Sequence, residues 1–478
     1  MGRIAEATPG RGGRRRGLSE PAEDEPALPP VSVARVLWRW LAVHAVLLYF
    51  GVLRVVDGLG LRWLSFALGG RRARDARLTG PVALRRAFEA LGPTYVKLGQ
   101  LVASGEALFP ARYSEEFRAL LDRVPALPFA KVRATLEREL DGPSDALFAR
   151  IEPRPLAAAS IAQVHEAVLP DGREVVVKVQ RPGIAALAAA DVVMMRGFAR
   201  IASWLSVHAR RANALAVIED FEANLVDELD FRNEARRMRE FNEVMHAMGT
   251  ESVAAPHVHD ALSGARVLTM ERFDGWRLDD TTAILASPYD AEERLLTGIR
   301  AWFQTLIVRG FFHGDVHAGN FLLLEDGRIG YLDFGIVGTF GDDQKRNVLE
   351  YVLGFQSRDF ERVGRAMIAM GTVDDPEAVD RAVFARDLAE AFAPMVDPRD
   401  GFRMKDLVPN LLRVSRAHAL RMPRDLVLVT KQLVYLDRYS RALGGEEMNV
   451  LTDQRLQNLI MQDMLAAMLA PPTHRGGP

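Results

Sequence analysis

The spacing of apolar and polar positions changes character along the chain. Short β-branched runs in the middle third predict three strands, at 173–180, 267–270 and 328–332. Stretches with helical spacing lie between and after these runs, at 217–246, at 291–308 and over most of 344–443. A few strands followed by many helices predict an α+β fold, in which a small mixed lobe packs on a larger helical lobe.

The first 150 residues lack strand patterns. Residues 1–30 are rich in Gly, Pro and charge and predict a disordered tail. The apolar run 40–53 is fourteen residues long and is bounded by Arg39 and Arg54. Because a bilayer span needs about 20 apolar residues, this run predicts a buried helix or a helix on a membrane surface. From 81 to 150, Pro and Gly-Pro signals divide the chain into short helices.

The composition is that of a globular protein and excludes several classes of function. The 478 residues exceed the length of one typical domain. Lys+Arg 61 against Asp+Glu 63 leaves a net charge of −2, which argues against nucleic-acid binding through bulk charge. The sequence has no Cys, so disulfides, thiolate metal sites and cysteine nucleophiles are excluded.

Lysine is scarce in this chain, and Arg is the usual base. The six Lys are Lys97, Lys131, Lys178, Lys345, Lys405 and Lys431. A Lys therefore stands out at any position where a compact ammonium is needed in place of a planar guanidinium.

The densest chemical signal is the segment 313–320, His-Gly-Asp-Val-His-Ala-Gly-Asn, with Asp333-Phe-Gly thirteen residues after Asn320. Phosphoryl transfer needs this set of side chains. One Asp orients or deprotonates the acceptor, while an Asn and a second Asp hold Mg²⁺ against the phosphates. A loop that is merely capped by Asp and Asn side chains would explain each residue alone. The spacing, with a strand predicted between the two segments, favours the kinase-type site.

Lys178 lies within the Val-rich strand 173–180, where an ammonium without a partner would be costly. A strand Lys that reaches nucleotide phosphates and pairs with a helix Glu would account for it, and the acidic segment 228–234 offers the partner. An edge-strand Lys that points to water is the alternative. Upstream, the Ala-rich segment 157–165 stands where kinases place a Gly-rich phosphate loop. Its methyl groups restrict φ and keep the backbone further from the phosphates.

The fourth signal is the segment 97–100, Lys-Leu-Gly-Gln, which by itself indicates only the start of a helix with one Lys. In this order, the four signals together resemble the UbiB (AarF-like) family of atypical protein kinases over roughly residues 80–345. The family's K-x-G-Q motif matches 97–100, its Ala-rich loop matches 157–160, and its E-x-D motif matches 228–230.

The resemblance implies a two-lobed, protein-kinase-like fold whose N-terminal K-x-G-Q helices cover the place where a peptide substrate would lie. Lys97 would be held by Glu228 and Asp230 of the E-x-D motif. Lys178 would pair with Glu234, although the two acids could exchange. The implied catalytic residues are Asp315, Lys97 and Gln100. The implied nucleotide-binding residues are Lys178, Glu228, Asp230, Glu234, Ala157, Ala158, Ala159, Ser160 and Met270. The implied metal ligands are Asn320 and Asp333.

The expected cofactors are ATP and Mg²⁺. The family is associated with isoprenoid quinone (ubiquinone-type) biosynthesis and with lipid homeostasis, which implies a lipid-like ligand or quinone-pathway protein partners and no nucleic acid. The expected location is cytoplasmic. A peripheral contact at the inner face of the plasma membrane is a further alternative. The expected division of the chain is a tail at 1–30, a helical and membrane-surface region at 31–92, the K-x-G-Q extension at 93–150, the small lobe at 151–272, the helical lobe at 273–445, and a C-terminal helix and tail at 446–478.

Some positions depart from the family pattern. The common loop H-A-D-P-H-P-G-N carries Gly314, Val316 and Ala318 here, and Ala162 replaces a usual Gly. Residues 455–470 form one short amphipathic stretch in place of the paired C-terminal transmembrane helices of many bacterial members. The catalytic loop also resembles that of aminoglycoside and choline phosphotransferases, which lack the K-x-G-Q extension. A small-molecule phosphotransferase and a nucleotide-gated pseudokinase scaffold are therefore alternatives to a UbiB-type kinase or ATPase.

Overall fold

A computed structural model gives the structure of most of the chain. The described residues are 28–59, 78–104, 111–120, 125–205, 214–373, 375–396, 404–420, 424–444, 450 and 453–469. The predicted disordered tail at 1–30 lies almost entirely outside them.

Helices make up most of the described residues. The helices are α1 (Val33–Gly58), α2 (Gly80–Leu91), α3 (Pro93–Ser104), α4 (Ala111–Phe117), α5 (Phe129–Glu139), α6 (Ser144–Leu147), α7 (Ile184–Leu205), α8 (Ala214–Glu228), α9 (Phe231–Ala247), α10 (Thr281–Ala286), α11 (Ala291–Arg309), α12 (Asp342–Gln356), α13 (Phe360–Ala369), α14 (Arg381–Val396), α15 (Met404–Ala417), α16 (Arg424–Gly444) and α17 (Gln454–Leu469). The strands are β1 (Arg150–Ile151), β2 (Ala157–Ala158), β3 (Ala162–Val168), β4 (Glu174–Gln180), β5 (Val253–Ala254), β6 (Val267–Glu271), β7 (Gly275–Arg277), β8 (Phe311–His313), β9 (Phe321–Leu324), β10 (Ile329–Tyr331) and β11 (Val337–Thr339).

A five-stranded antiparallel sheet forms the small lobe. Its order is β1-β3-β4-β6, with β2 paired to β3. Both faces of β4 are covered, which explains the unbroken Val run in its sequence. Val175 and Val177 face α5 of the N-terminal extension, whereas Val176 faces the main core together with α9. The three predicted strands are all present, as β4, β6 and β10.

The predicted helix at 217–246 is instead two helices. The chain leaves α8 after Glu228, and Asp230 begins α9 by accepting a hydrogen bond from the backbone N–H of Arg232 at 3.0 Å. An Asp at this position is a favourable N-cap, and it competes with continuation of the helix. The hydrophobic periodicity runs through the break, so the pattern alone did not reveal it.

The helical lobe is built around α11, which is buried along most of its length. Trp302 and Leu306 of α11 are fully buried in the main core. Two small sheets lie against this lobe: β5-β10-β9-β7, and the pair β8 and β11. These sheets carry the segment that begins at His313 and ends after Asp333.

The N-terminal helix α1 is longer and more exposed than the apolar run predicts. It spans 26 residues, of which only Arg39, Val43 and Leu53 are buried. The prediction of a buried helix, one of the two alternatives, is therefore wrong. Within the described residues, α1 is also the single helix whose length and composition would suffice to cross a bilayer.

Both ends of α1 are tied to the body of the protein. Near its start, Arg39 forms a buried ion pair with Asp191 of α7, with Nη2 3.1 Å from Oδ2. Near its end, Asp57 accepts a hydrogen bond from the backbone N–H of Leu78 at 3.0 Å. The helix therefore lies along the folded body.

The predicted amphipathic stretch near the C-terminus is α17. It packs against α11, where the guanidinium of Arg300 binds the buried carboxylate of Asp463 at 2.7 and 2.8 Å. This bidentate pair explains a charged residue on the apolar face of α17.

Candidate active site

Lys178 contacts two carboxylates between the lobes. Its Nζ lies 2.8 Å from both carboxylate oxygens of Glu234 on α9 and 3.2 Å from Oδ1 of Asp333. Burial alone would lower the pKa of Lys178, but the two carboxylates raise it above its usual value. The predicted pairing of Lys178 with Glu234 is confirmed. The edge-strand alternative is wrong, because β4 lies between β3 and β6.

The segment that carries Asp315 is held by buried groups. His313 donates through Nε2 to the carbonyl of Leu332 at 2.8 Å, and its Nδ1 accepts from the backbone N–H of Asp315 at 3.2 Å. Burial lowers the pKa of His313, so the ring stays neutral in this role. The amide of Asn320 donates to the carbonyl of Asp315 at 3.2 Å. These hydrogen bonds therefore fix the backbone at Asp315 and bring Asn320 next to it.

Asp333 lies in a backbone conformation that non-glycine residues seldom adopt. Its φ is +49°, in the left-handed region, and its Oδ1 accepts from the backbone N–H of Gly335 at 3.2 Å. Arg237 of α9 donates to the carbonyls of Phe334 and Gly335 at 3.2 and 3.3 Å. The Lys178 ammonium holds the pKa of Asp333 well below its usual range. The carboxylate is about half exposed, so it is open to a ligand.

Lys97 of α3 reaches the same cleft from the N-terminal extension. Its Nζ lies 2.7 Å from Oε2 of Glu228, the last residue of α8. Burial would lower the pKa of Lys97, but Glu228, with help from Asp333 and Asp315, raises it. The K-x-G-Q lysine and the first acid of the E-x-D motif are thus brought together as predicted.

Asp230 does not share this contact, and the expectation that it also holds Lys97 is wrong. Its carboxylate caps α9 and lies 2.6 Å from the guanidinium of Arg232. The break between α8 and α9 places the two acids of the motif in different surroundings. Glu228 faces the cleft, whereas Asp230 turns to its own helix. A role for Asp230 in nucleotide binding stays a prediction.

Gly99 and Gln100 make packing contacts within the N-terminal extension. The Gln100 amide donates to the carbonyl of Leu120 at 3.2 Å. A Cβ on Gly99 would lie 2.3 Å from a methyl carbon of Leu120 and 3.0 Å from the ring of Phe117, so only Gly allows this approach. These contacts give both residues a packing role behind Lys97. Among the described residues no contact supports a catalytic role of Gln100, which stays a prediction.

The Ala-rich segment forms a tight turn between β2 and β3. Ala157 and Ala158 pair with β3, and the backbone N–H of Ala159 donates to the carbonyl of Ala162 at 2.9 Å. Ser160 is buried in the turn. Arg181 donates to the carbonyl of Ala159 at 3.0 Å and holds the turn on the sheet. Nucleotide binding by these residues stays a prediction.

Met270 lies in β6 opposite Val176 of β4, and it is buried in the main core. Its predicted contact with the nucleotide also stays a prediction.

Sequence reasoning missed two residues that hold this site. Arg237 fixes the backbone after Asp333, but α9 also carries Arg232, Arg236 and Arg239, so nothing in the sequence distinguishes it. Gln432 of α16 is fully buried, donates to the carbonyl of Gly314 at 2.6 Å and accepts from the backbone N–H of Val316 at 3.0 Å. The sequence shows only a Gln beside Lys431 within the mostly apolar run 426–436, and its burial becomes visible only in the structure. Its partners lie more than 110 residues away in sequence, where no local pattern points to them.

The donor set at this cleft suits Mg²⁺. Asn320 and Asp333 offer the oxygen ligands that this ion prefers, and Mg²⁺ is commonly held by one or two protein ligands with substrate phosphates completing its shell. No cluster of three or more His, Asp or Glu side chains arranged as a metal site occurs among the described residues.

Comparison with known proteins agrees with this geometry. A family model for the ABC1 atypical kinase-like domain matches residues 119–367. The chain belongs to this family, that of the UbiB and AarF atypical kinases. An uncharacterized chloroplastic aarF domain-containing protein kinase of Arabidopsis thaliana is 36% identical over 85% of this chain and 82% of its own length. An uncharacterized Mycobacterium tuberculosis protein is 39% identical over 76% of this chain and 74% of its own length.

Two further proteins are similar to this chain. The probable protein kinase UbiB of Aliivibrio fischeri is 32% identical over 75% of this chain and 66% of its own length. The solved structure of a Mycobacterium tuberculosis protein in complex with erythromycin is 25% identical and aligns with a TM-score of 0.46, covering 73% of this chain and 88% of that one. Membership of the ABC1 family confirms the predicted family and, with the two lobes described above, the kinase-like α+β fold.

Proposed function

We propose that this ABC1-family protein binds Mg-ATP and cleaves its terminal phosphoryl bond, as an ATPase or as a kinase for an acceptor other than a peptide. The observation that carries the proposal is the contact of Lys178 with Glu234 and Asp333. This strand-Lys to helix-Glu pair is the one that active kinase folds use to place the nucleotide phosphates. Here it is already formed, next to the loop of Asp315 and Asn320.

Each polar group of the cleft has a role in this proposal. Lys178 binds phosphate oxygens, and Asp315 accepts the proton of a water molecule or an acceptor hydroxyl. Asn320 and Asp333 hold Mg²⁺. When bound, the ion neutralises charge on the phosphates during transfer. The Ala-rich turn covers the phosphates at a greater distance than a Gly-rich loop would.

Lys97 supports an activity that is slow and restricted in its acceptors. In this proposal its helix covers the place where kinases admit a peptide, as the family resemblance implies, and its ammonium is anchored on Glu228 at 2.7 Å. A long peptide would have to displace this partly buried ion pair. Water or a small or membrane-embedded acceptor would not, and ATPase behaviour is therefore the main activity proposed.

The test is ATP hydrolysis by the purified full-length protein. We expect slow release of phosphate that requires Mg²⁺ and stops with excess EDTA, because the cleft has too few ligands of its own to retain the ion. Phosphate release and ADP affinity by calorimetry are the two measurements. ADP binding without hydrolysis under every lipid condition would instead indicate a nucleotide-gated scaffold. Hydrolysis that rises steeply with aminoglycosides or choline would indicate a small-molecule phosphotransferase.

The membrane part of the proposal rests on a surface formed by α1 and α7. The rings of His44 on α1 and Phe198 on α7 lie 5.4 Å apart, so the helices adjoin. We call their exposed apolar residues the α1–α7 surface. The members on α1 are Val33, Leu37, Trp38, Trp40, Leu41, Leu48, Tyr49, Val52 and Val55, and those on α7 are Val193, Ile201, Trp204 and Leu205. So large an apolar area is unusual on the surface of a soluble domain.

A membrane surface is the proposed occupant of the α1–α7 surface. Because Arg39 and Asp57 tie both ends of α1 to the body, the helix would lie in the plane of the interface. Trp and Tyr side chains favour that depth, and the exposed Arg35 and Arg54 suit anionic headgroups. The proposed location is therefore cytoplasmic with peripheral membrane contact. The quinone association of the family supports an isoprenoid quinone or another lipid-like molecule, with quinone-pathway proteins, as partner.

Vesicle binding tests this part. Replacing Trp38 and Leu48 together by Glu should weaken binding to phosphatidylglycerol–phosphatidylcholine vesicles about 30–1,000-fold, because each buried apolar side chain contributes about 1–2 kcal/mol. Sedimentation with vesicles measures this, and added ubiquinone tests whether hydrolysis also rises. Leu285→Glu is the control, since Leu285 is similarly exposed on α10. Equal binding by the double variant and the control would refute the membrane contact.

A further inference from the structure

The cleft contains a third lysine that neither the motifs nor the proposed function uses. Lys431 of α16 places Nζ 3.6 Å from Oδ1 of Asp315, although the two residues are 116 positions apart. Lys97 and Lys178 already reach this cleft. In a chain that uses Arg almost everywhere, half of its six Lys thus meet at one place. A compact ammonium is the cation that can approach a phosphoryl oxygen from any direction.

Lys431 is held at this place by its neighbour in sequence. Gln432 binds the backbone on both sides of Asp315, at Gly314 and Val316. These two buried hydrogen bonds fix the position of α16 relative to the loop. The Lys431 ammonium also lies 5.6 Å from the centre of the Tyr435 ring, one turn further along the helix. The side chain is therefore directed to the cleft rather than to bulk solvent.

The contact leaves the ammonium free to bind a second anion. A separation of 3.6 Å is longer than a charge-assisted hydrogen bond, and the Lys431 side chain is 24% exposed. The other oxygen of Asp315 faces His317, whose Nε2 lies 3.6 Å away. By contrast, Lys97 and Lys178 are each bound within 2.8 Å of a Glu carboxylate. Of these three lysines, Lys431 is the least engaged, and it stands beside the residue that receives the acceptor's proton.

We propose that Lys431 is a catalytic residue, whose ammonium binds an oxygen of the transferred phosphoryl group. The inference rests on the proposed function. In the reaction, the bond between the γ-phosphorus and the bridging oxygen breaks, and ADP keeps its electron pair. A new bond forms from water or a hydroxyl to phosphorus, and the acceptor's proton passes to Asp315. Lys431 stabilises charge on the phosphoryl oxygens at that moment, where fixed cations have their largest effect.

Steady-state kinetics of three full-length variants test this role. Lys431→Met should lower kcat for Mg-ATP hydrolysis by about 100-fold and leave the ATP KM and the ADP Kd within about threefold. Lys431→Arg should recover at least a tenth of the lost rate, because it restores the charge with a different shape. Arg438→Met, an exposed cation on the same helix, should match the wild type.

The outcomes separate this inference from the proposed function. Hydrolysis by wild type together with unchanged kcat in Lys431→Met would refute the role of Lys431 and leave the proposed function standing. Absence of hydrolysis in wild type would overturn both. A Lys431→Met protein that also loses ADP binding, or unfolds at a clearly lower temperature than Arg438→Met, would assign Lys431 a structural role and refute catalysis.

Discussion

Asp333→Asn should abolish Mg-ATP hydrolysis, lowering the rate on the order of 10³-fold or more. Asn has the shape of Asp but lacks its charge. The substitution therefore weakens a ligand for Mg²⁺ and removes one of the two carboxylates on Lys178. Lys178 keeps Glu234 at 2.8 Å, so the cleft should hold its shape. Phosphate release at saturating Mg-ATP is the measurement.

The same substitution should leave the fold intact. Asp333 has a φ of +49°, and Asn tolerates the left-handed region at least as well as Asp does. Thermal unfolding should therefore be unchanged, so a loss of rate reports chemistry. Asp141→Asn is a matched control, because Asp141 also has a positive φ of +50° and is exposed far along the chain from the cleft. An Asp333→Asn protein that hydrolyses ATP at the same rate as this control would refute the proposed kinase-type active site.

Arg39→Met should lower the free energy of unfolding by about 3–5 kcal/mol, since it leaves the carboxylate of Asp191 buried without its partner. Asp191 has no exposed surface, and burial raises its pKa. Arg39 also donates to the carbonyl of Leu91, immediately before the helix of Lys97. Losing Arg39 therefore loosens α1, α7 and the K-x-G-Q helix together. Denaturant titration at neutral pH measures the effect.

Three comparisons make this prediction specific. The double variant Arg39→Met with Asp191→Leu should regain most of the lost stability, because an apolar pair can replace a buried ion pair. The deficit of the single variant should also shrink at acid pH, where Asp191 is neutral in the folded and unfolded chains alike. Arg35→Met, an exposed change one turn earlier on α1, should cost little. A single variant as stable as Arg35→Met would show that the ion pair does not anchor α1.

Local sequence patterns were enough to locate the chemistry of the cleft. Lys178 stood out because a Val-rich strand cannot bury an ammonium alone, and the spacing of Asp315, Asn320 and Asp333 marked the two segments that the structure brings to the cleft. The partner of Lys178 was correct as well. These inferences were possible because the informative residues lie close together in the sequence.

Contacts between distant segments were not predictable in the same way. Arg39 looked like the polar boundary of an apolar run, yet it lies buried because Asp191, 152 residues later, neutralises it. The break after Glu228 was invisible because the apolar spacing continues across it, and so Asp230 was given the wrong partner. Lys431 and Gln432 belong to no sequence motif. Their contacts with the loop of Asp315 arise only because α16 packs on that loop.

The convergence of Lys97, Lys178 and Lys431 has a practical consequence for anyone who trims this chain. The stretch that matches the family model, 119–367, contains only one of these three positive charges. A fragment cut to that stretch would retain the Ala-rich turn, the E-x-D motif and the loop of Asp315, but it would lose the K-x-G-Q motif and two of the three lysines. Inactivity of such a fragment would say nothing about the intact protein, whose cleft lysines come from α3, β4 and α16.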